Sequence, residues 1–170
     1  LADGAADSTR LQGAPVRPYG ERSPFETSAR WIAPARFPRS AGSWTPLADL
    51  EGTITPSALH YERHHAGVPA IDPGAHRLLV HGRVERALEF GLADLRRFPL
   101  VQRQCFLECS GNSYQEWKGP GAADVQQTHG LTACSEWAGA RLRDVLTEVG
   151  IAEGARWVVA EGADAAALTR

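Results

Sequence analysis

Cys109 stands where an alternating run, VQRQCFLEC, meets a Ser110-Gly111-Asn112 turn. Small residues and backbone N–H groups at such a turn let a ligand approach closely. A thiolate there can be a nucleophile or a soft metal ligand; the same residue type also serves as an inert buried thiol. On an extended strand Cys105 and Cys109 lie about 13 Å apart at ~3.3 Å per residue. Disulfide Cα atoms come within roughly 7 Å of each other, so these two neither pair nor share a zinc ion. Cys105 and Cys134 read as small core residues. An odd total of three cysteines argues against a disulfide framework.

The histidines form a second constellation. In HYERHH, His60, His64 and His65 surround Arg63. His60 and His64 would share one face of a helix, as metal ligands often do, but no HExxH and no cysteine pair at finger spacing accompanies them. A zinc module on His64, His65, His129 and Cys134 has poor spacing. A guanidinium between imidazoles suits phosphate or an oxyanion, and equally makes a solvated basic loop. In AEGAD, Asp164 follows a strand-like run, as a turn residue or as an acceptor for heterocycle N–H groups. No G-x-G-x-x-G, P-loop or G-x-S-x-G is present.

The elements that must position these residues are mixed. The chain has 170 residues, 43% of them hydrophobic, enough for one domain with a core. Its net charge of -2 provides no global basic surface for nucleic acid. No apolar run approaches the ~20 residues of a membrane span, and no signal-type segment opens the chain. It stops just after a strand-like run, which reads as a fragment or a processed chain. Residues 1–50 read as an irregular N-terminal arm, its first ten residues disordered, with Tyr19, Phe25, Trp31 and Trp44 packing across the domain. Thr55-Pro56-Ser57 reads as a turn or helix start. RLLVHGRV (77–84) and Leu88–Phe90 read as strands, and LADLRRF as a helical piece ended by Pro99. VQRQCFLEC has no cleanly polar face, so both faces are expected to be covered. ARLRDVLTEVG is the clearest helix: Leu142, Val145, Leu146 and Val149 fall at i, i+3, i+4 and i+7, and Gly150 caps it. RWVVAEGAD reads as a strand. The fold class is α+β with a mixed or antiparallel sheet.

Four motifs in order carry a family resemblance over 55–170. ITPSALHYERHHAGVPAIDPGAHRLLVHGRVERAL resembles the start of the catalytic domain in the sulfite oxidase family of molybdenum enzymes. RQCFLECSGN resembles its cysteine strand, WAGARLRDVLTEVGI the helix that follows, and VVAEGAD its Glu-Gly-x-Asp strand end. PYGERSPFE, ERHHAGVPAIDP and THGLTACSEW are most similar to the molybdenum subunits of bacterial sulfur-oxidising systems. The resemblance implies a mixed-sheet molybdopterin-binding domain over 51–170, its N-terminal portion only and incomplete at the C-terminus.

The resemblance also implies roles. Cys109 would coordinate molybdenum. Tyr61, Glu62, Arg63, His64 and His65 would bind the molybdopterin, with Arg63 also holding an anionic sulfur substrate, and Asp164 would contact the pterin. Sulfite oxidases commonly have Asn at His64 and Ala at Ser110, which leaves the substrate open between sulfane sulfur, free or carrier-protein-bound, and sulfite. The activity implied is oxygen-atom transfer, with electrons passed to a c-type cytochrome. A periplasmic location and an oligomeric complete protein go with it. No C-x-x-C-H for covalent haem is present. The family's later pterin ligands and its dimerisation domain do not occur in these 170 residues. The competing expectations are therefore a non-catalytic piece serving as a binding surface, and the zinc module above.

Overall fold

A computed structural model describes residues 12–32, 41–119, 121 and 124–163. The ten N-terminal residues expected to be disordered, and Asp164, lie outside the described residues. Among the described residues three antiparallel sheets carry the fold. Strands β1 (Trp31–Ile32), β2 (Ala41–Trp44) and β3 (Glu62–His64) pair in that order. Opposed Trp31 and Trp44 meet edge-on, with ring centroids 4.8 Å apart. β4 (Arg77–Val80) pairs with β5 (Leu88–Gly91), which runs directly into the short helix α1 (Leu92–Leu95). The Asp94 carboxylate accepts the Gly91 N–H at 2.9 Å and closes the start of that helix.

The longest element is a ribbon. β6 (Leu100–Glu108) pairs along its whole length with β7 (Thr132–Ala140), from Leu100↔Ala140 to Glu108↔Thr132. Helix α2 (Val125–His129) sits just before β7, and α3 (Leu142–Val149) just after it. The class is α+β as expected, and every strand pair among the described residues is antiparallel.

Two cores hold these pieces. In one, Val145 and Val149 of α3 meet Phe90, with Leu78, Leu88 and Leu146 around them. Val145, Leu146 and Val149 of the stripe read from the sequence lie here, whereas Leu142 is exposed; fully burying such a side chain contributes about 1.5–3 kcal/mol. Gly150 ends the helix at φ 68°, and a Cβ there would sit 2.6 Å from Glu85 Oε2. In the other core Tyr61, Leu131 and Ala133 are buried, with Trp44 and Cys109 packed on them. Backbone bonds staple the first sheet to β7: Thr45 N–H to Gly130 O at 2.8 Å and Thr55 N–H to Cys134 O at 2.9 Å. The Gln126 amide adds two more, donating to Thr45 O at 2.7 Å and accepting the Leu47 N–H at 2.8 Å.

Several expectations are corrected. Residues 102–108 of β6 are exposed, Phe106 by 73%, so neither face of that stretch is covered by described residues. Cys105 is therefore exposed rather than a core residue, whereas Cys134 is buried as expected. RWVVAEGAD forms no ladder through residue 163, and Trp157 is 91% exposed. Its β-branched residues favour a strand only where a partner strand can take up their backbone groups. Strand β4 ends at Val80, short of Val84, before Gly82 turns the chain at φ 101°. Tyr19 and Phe25 are exposed; of the four arm aromatics only Trp31 and Trp44 pack on each other.

Gly130 is where sheet, helix and ribbon converge. A Cβ on it would lie 2.5 Å from Gln126 O and 2.8 Å from Trp44 Cδ1. Gly130→Ala should cost about 1–3 kcal/mol of stability in denaturant unfolding. Gly139→Ala, with nothing within 4 Å of the new methyl, should be tolerated.

Candidate functional site

Cys109 lies one residue beyond β6 and is half-buried. Its N–H donates to Leu131 O at 3.0 Å, and its carbonyl accepts the Asn112 N–H at 3.0 Å. The Gly111 N–H donates to Cys109 Sγ at 3.4 Å. A Cβ at Gly111 would stand 3.5 Å from that sulfur, so glycine leaves this side of the thiol open. Ser113 closes the turn at φ 58° and donates its N–H to Thr128 O at 2.7 Å. A non-glycine residue in that conformation costs roughly 1–2 kcal/mol, which the surrounding bonds must offset.

The Asn112 side chain ties the neighbouring elements together. Its Nδ2 lies 2.9 Å from Glu108 Oε1, 2.7 Å from Thr132 Oγ1 and 3.3 Å from His129 O. Its Oδ1 accepts the Leu131 N–H at 3.0 Å. One amide thus joins the end of β6, the end of α2 and the start of β7.

Tyr61 reaches the same place from the first sheet. It is buried against Leu131 and Ala133, in the cluster that Cys109 packs on, and its N–H donates to Thr45 Oγ1 at 3.1 Å. Burial, followed by negative charge at Cys109 and Glu108, pushes the phenol above its ordinary pKa. From here the extended chain alternates, placing Tyr61 and Arg63 on one side and Glu62 and His64 on the other. Arg63 is exposed and donates to its neighbour's carbonyl, His64 O, at 2.8 Å. His65 is exposed just past β3. Glu62 ion-pairs with Arg30 and lies 3.1 Å from His64 Nε2. The hydrogen bond from Arg30 is the main reason its carboxyl is held below the usual range.

The structure therefore gathers Cys109 and Tyr61 into one cluster and sets Arg63, His64 and His65 on or beside β3. The expected helix carrying His60 and His64 does not form. His64 ends a strand, and His60 follows a short 3-10 turn at 57–59. Pairing with β2 through Gly42 and Ala41 overrides any local helical tendency. The zinc grouping is not assembled either. His129 Nε2 lies 3.1 Å from Glu116 Oε1, and Cys134 is buried on Thr55. Among the described residues no group of three potential ligands could hold a metal ion.

One relevant residue, Arg30, escaped the sequence reading; Asn112 and His60 were noted there, but not for the contacts they make here. His60 stacks on Tyr61, ring centroids 4.9 Å apart, and its buried Nε2 has no hydrogen-bond partner among the described residues. Asn112 had a signal, an asparagine in a turn beside the cysteine. Arg30 had none, because its partner lies 32 residues away in sequence. Helix α2 was also missed, although Asp124, which accepts the Gln127 N–H at 2.9 Å, is an N-cap with a glutamine three residues on.

The oxidoreductase molybdopterin binding domain family matches residues 65–170. Sulfite oxidase of Gallus gallus is 38% identical over 132 residues, covering 71% of this chain and 28% of that protein. The NADH nitrate reductase of Ulva prolifera is 38% identical over 129 residues, covering 66% of this chain and 14% of that protein. The crystal structure of the sulfane dehydrogenase SoxCD from Paracoccus pantotrophus superposes with a TM-score of 0.82 at 36% identity, covering 95% of this chain and 45% of that one. The chain belongs to the oxidoreductase molybdopterin binding domain family, in its sulfite oxidase branch. It spans less than half the length of each of these relatives.

Asn112→Ala would strip the Leu131 N–H and the Thr132 hydroxyl of a partner. It should cost about 1–3 kcal/mol, read by chemical denaturation, and the Leu131 amide should exchange its hydrogen faster.

Proposed function

We propose that this chain is the cysteine-bearing part of a molybdenum enzyme that oxidises inorganic sulfur compounds. The observation that carries the reading is the Cys109 turn, an accessible thiol with a backbone N–H on its sulfur and no side chain at Gly111. The donor chemistry fits a molybdenum cofactor, since a soft thiolate suits a metal of this kind. The buried, unpartnered Nε2 of His60 fits a heterocyclic ligand able to supply its missing hydrogen bond.

Within this reading Cys109 holds the metal. Tyr61, Arg63, His64 and His65, with Asp164, hold the pterin. The bound cofactor would supply oxygen-atom transfer coupled to two-electron oxidation of the substrate. The chain's own residues do the rest. The Arg63 guanidinium attracts and orients an anionic substrate. Tyr61, kept neutral by its surroundings, forms an apolar wall beside the thiolate. Asn112 holds the turn so that the sulfur's position does not depend on the ligand.

A sulfur substrate is favoured by the SoxCD likeness, which extends over 95% of the chain. The equal identity of the nitrate reductase relative favours a second reading, reduction of a nitrogen oxyanion at the same site. A c-type cytochrome as electron acceptor, a periplasmic location and an oligomeric whole protein are proposed on the family resemblance. Among the described residues no helix is long and apolar enough to cross a membrane.

Elemental analysis of the full-length protein should find near-stoichiometric molybdenum, and Cys109→Ser should lower it about 10-fold or more. Turnover of sulfite or thiosulfate but not nitrate would support the sulfur reading, and the reverse would replace it. Unchanged molybdenum in the variant would contradict the assignment of Cys109.

A further inference from the structure

Arg30, Glu62 and His64 form a chain of charge on the side of β3 away from Tyr61. Glu62 and His64 are two residues apart on an extended strand and so share a face. The strand itself is fixed by register, Ser43↔Glu62 and Ala41↔His64, and by the Glu62 N–H, which donates to Ser43 Oγ at 3.2 Å. Each carboxylate oxygen of Glu62 has one partner: Oε1 takes Arg30 Nη1, and Oε2 lies 3.1 Å from His64 Nε2. Arg30 also donates to His60 O at 3.3 Å, which fixes its position on the motif.

This arrangement determines what His64 can offer. An ionised carboxylate only accepts hydrogen bonds. Arg30 keeps Glu62 ionised, so Nε2 of His64 must carry the proton. In the neutral ring Nδ1 is then an acceptor, and among the described residues nothing bonds to it. Glu62 is thus occupied, and Nδ1 is the acceptor that remains on the His64 ring.

We propose that Glu62 is a positioning residue, not a ligand of the cofactor. It fixes the tautomer and ring plane of His64 so that Nδ1 accepts a hydrogen bond from an N–H or O–H group of the bound heterocycle, with Arg30 holding Glu62 in place. This refines the proposed function, on which its ligand half rests. Glutamine at 62 presents an amide donor that can turn to His64 Nε2 and drive the ring proton to Nδ1. Asparagine at 64 carries an acceptor oxygen near the place of Nδ1 and needs no tautomer control.

Two measurements test this. In protein with 15N-labelled histidine, near pH 8, His64 should show a protonated Nε2 whose proton is slow enough to exchange to give a resonance. The signal should vanish in Glu62→Gln and be identified by its absence from His64→Asn. For the ligand half, each variant of the full-length protein is titrated with isolated molybdenum-loaded pterin cofactor and bound metal is counted. Glu62→Gln should weaken uptake about 10-fold. Whatever uptake His64→Asn retains, Glu62→Gln added to it should change nothing further.

A protonated Nδ1 on His64 in the parent, or no Nε2–H signal, overturns the proposal. So does an equal loss from Glu62→Gln in the His64→Asn background, which would make Glu62 a ligand in its own right. Failure of the parent to take up any cofactor would instead count against the proposed function, and the resonance would still decide the role of Glu62.

Discussion

The site depends on one side-chain amide. Asn112 spans the end of β6, the end of α2 and the start of β7, and the turn it closes contains Cys109. Without that amide the Leu131 N–H loses its acceptor and Thr132 Oγ1 loses a donor. In the proposed role, a thiol placed by the protein before the metal arrives spares the ordering entropy that a loose ligand costs on binding. Here the placement comes from backbone bonds on both sides of Cys109 and from an amide that does not touch the sulfur.

The second support is the set of staples between the first sheet and the ribbon. Thr45, Thr55 and Gln126 tie the β1–β3 sheet to Gly130, Cys134 and the chain around Leu47. They bring Tyr61 against the cluster that Cys109 joins, although the two residues are far apart in sequence. The β6–β7 ribbon is unlike them. Its buried end lies at the cysteine, while residues 102–108 are exposed. The relatives that share this domain are more than twice as long.

Much of the site could be read in the sequence, because it lies in short motifs. The Cys-x-Gly-Asn turn and the HYERHH run stood out as candidates by residue type and spacing, and the family resemblance gave them their proposed roles. Helix α3 was legible because its stripe has the helical period, and β5 and α1 because Pro99 and short apolar runs bound them. What failed was nonlocal. The burial of Cys105 was inferred from strand alternation, which says nothing about whether another layer covers the strand. RWVVAEGAD has the composition of a strand, yet composition cannot supply a pairing partner. His60 and His64 have helical spacing, but pairing with β2 set the conformation. The Arg30–Glu62 bond joins an arm that looked irregular to the most telling motif in the chain, and no local pattern announces it.

The most direct measurement is the accessibility of Cys109 to a thiol-alkylating reagent, mapped by mass spectrometry in full-length protein with and without its molybdenum cofactor. Cys105, exposed on β6, is the internal control and should react in both states. If Cys109 holds the metal, it should be protected in the loaded protein and should become reactive when the cofactor is removed. Equal modification of Cys109 in the two states would show that the thiol is not the ligand.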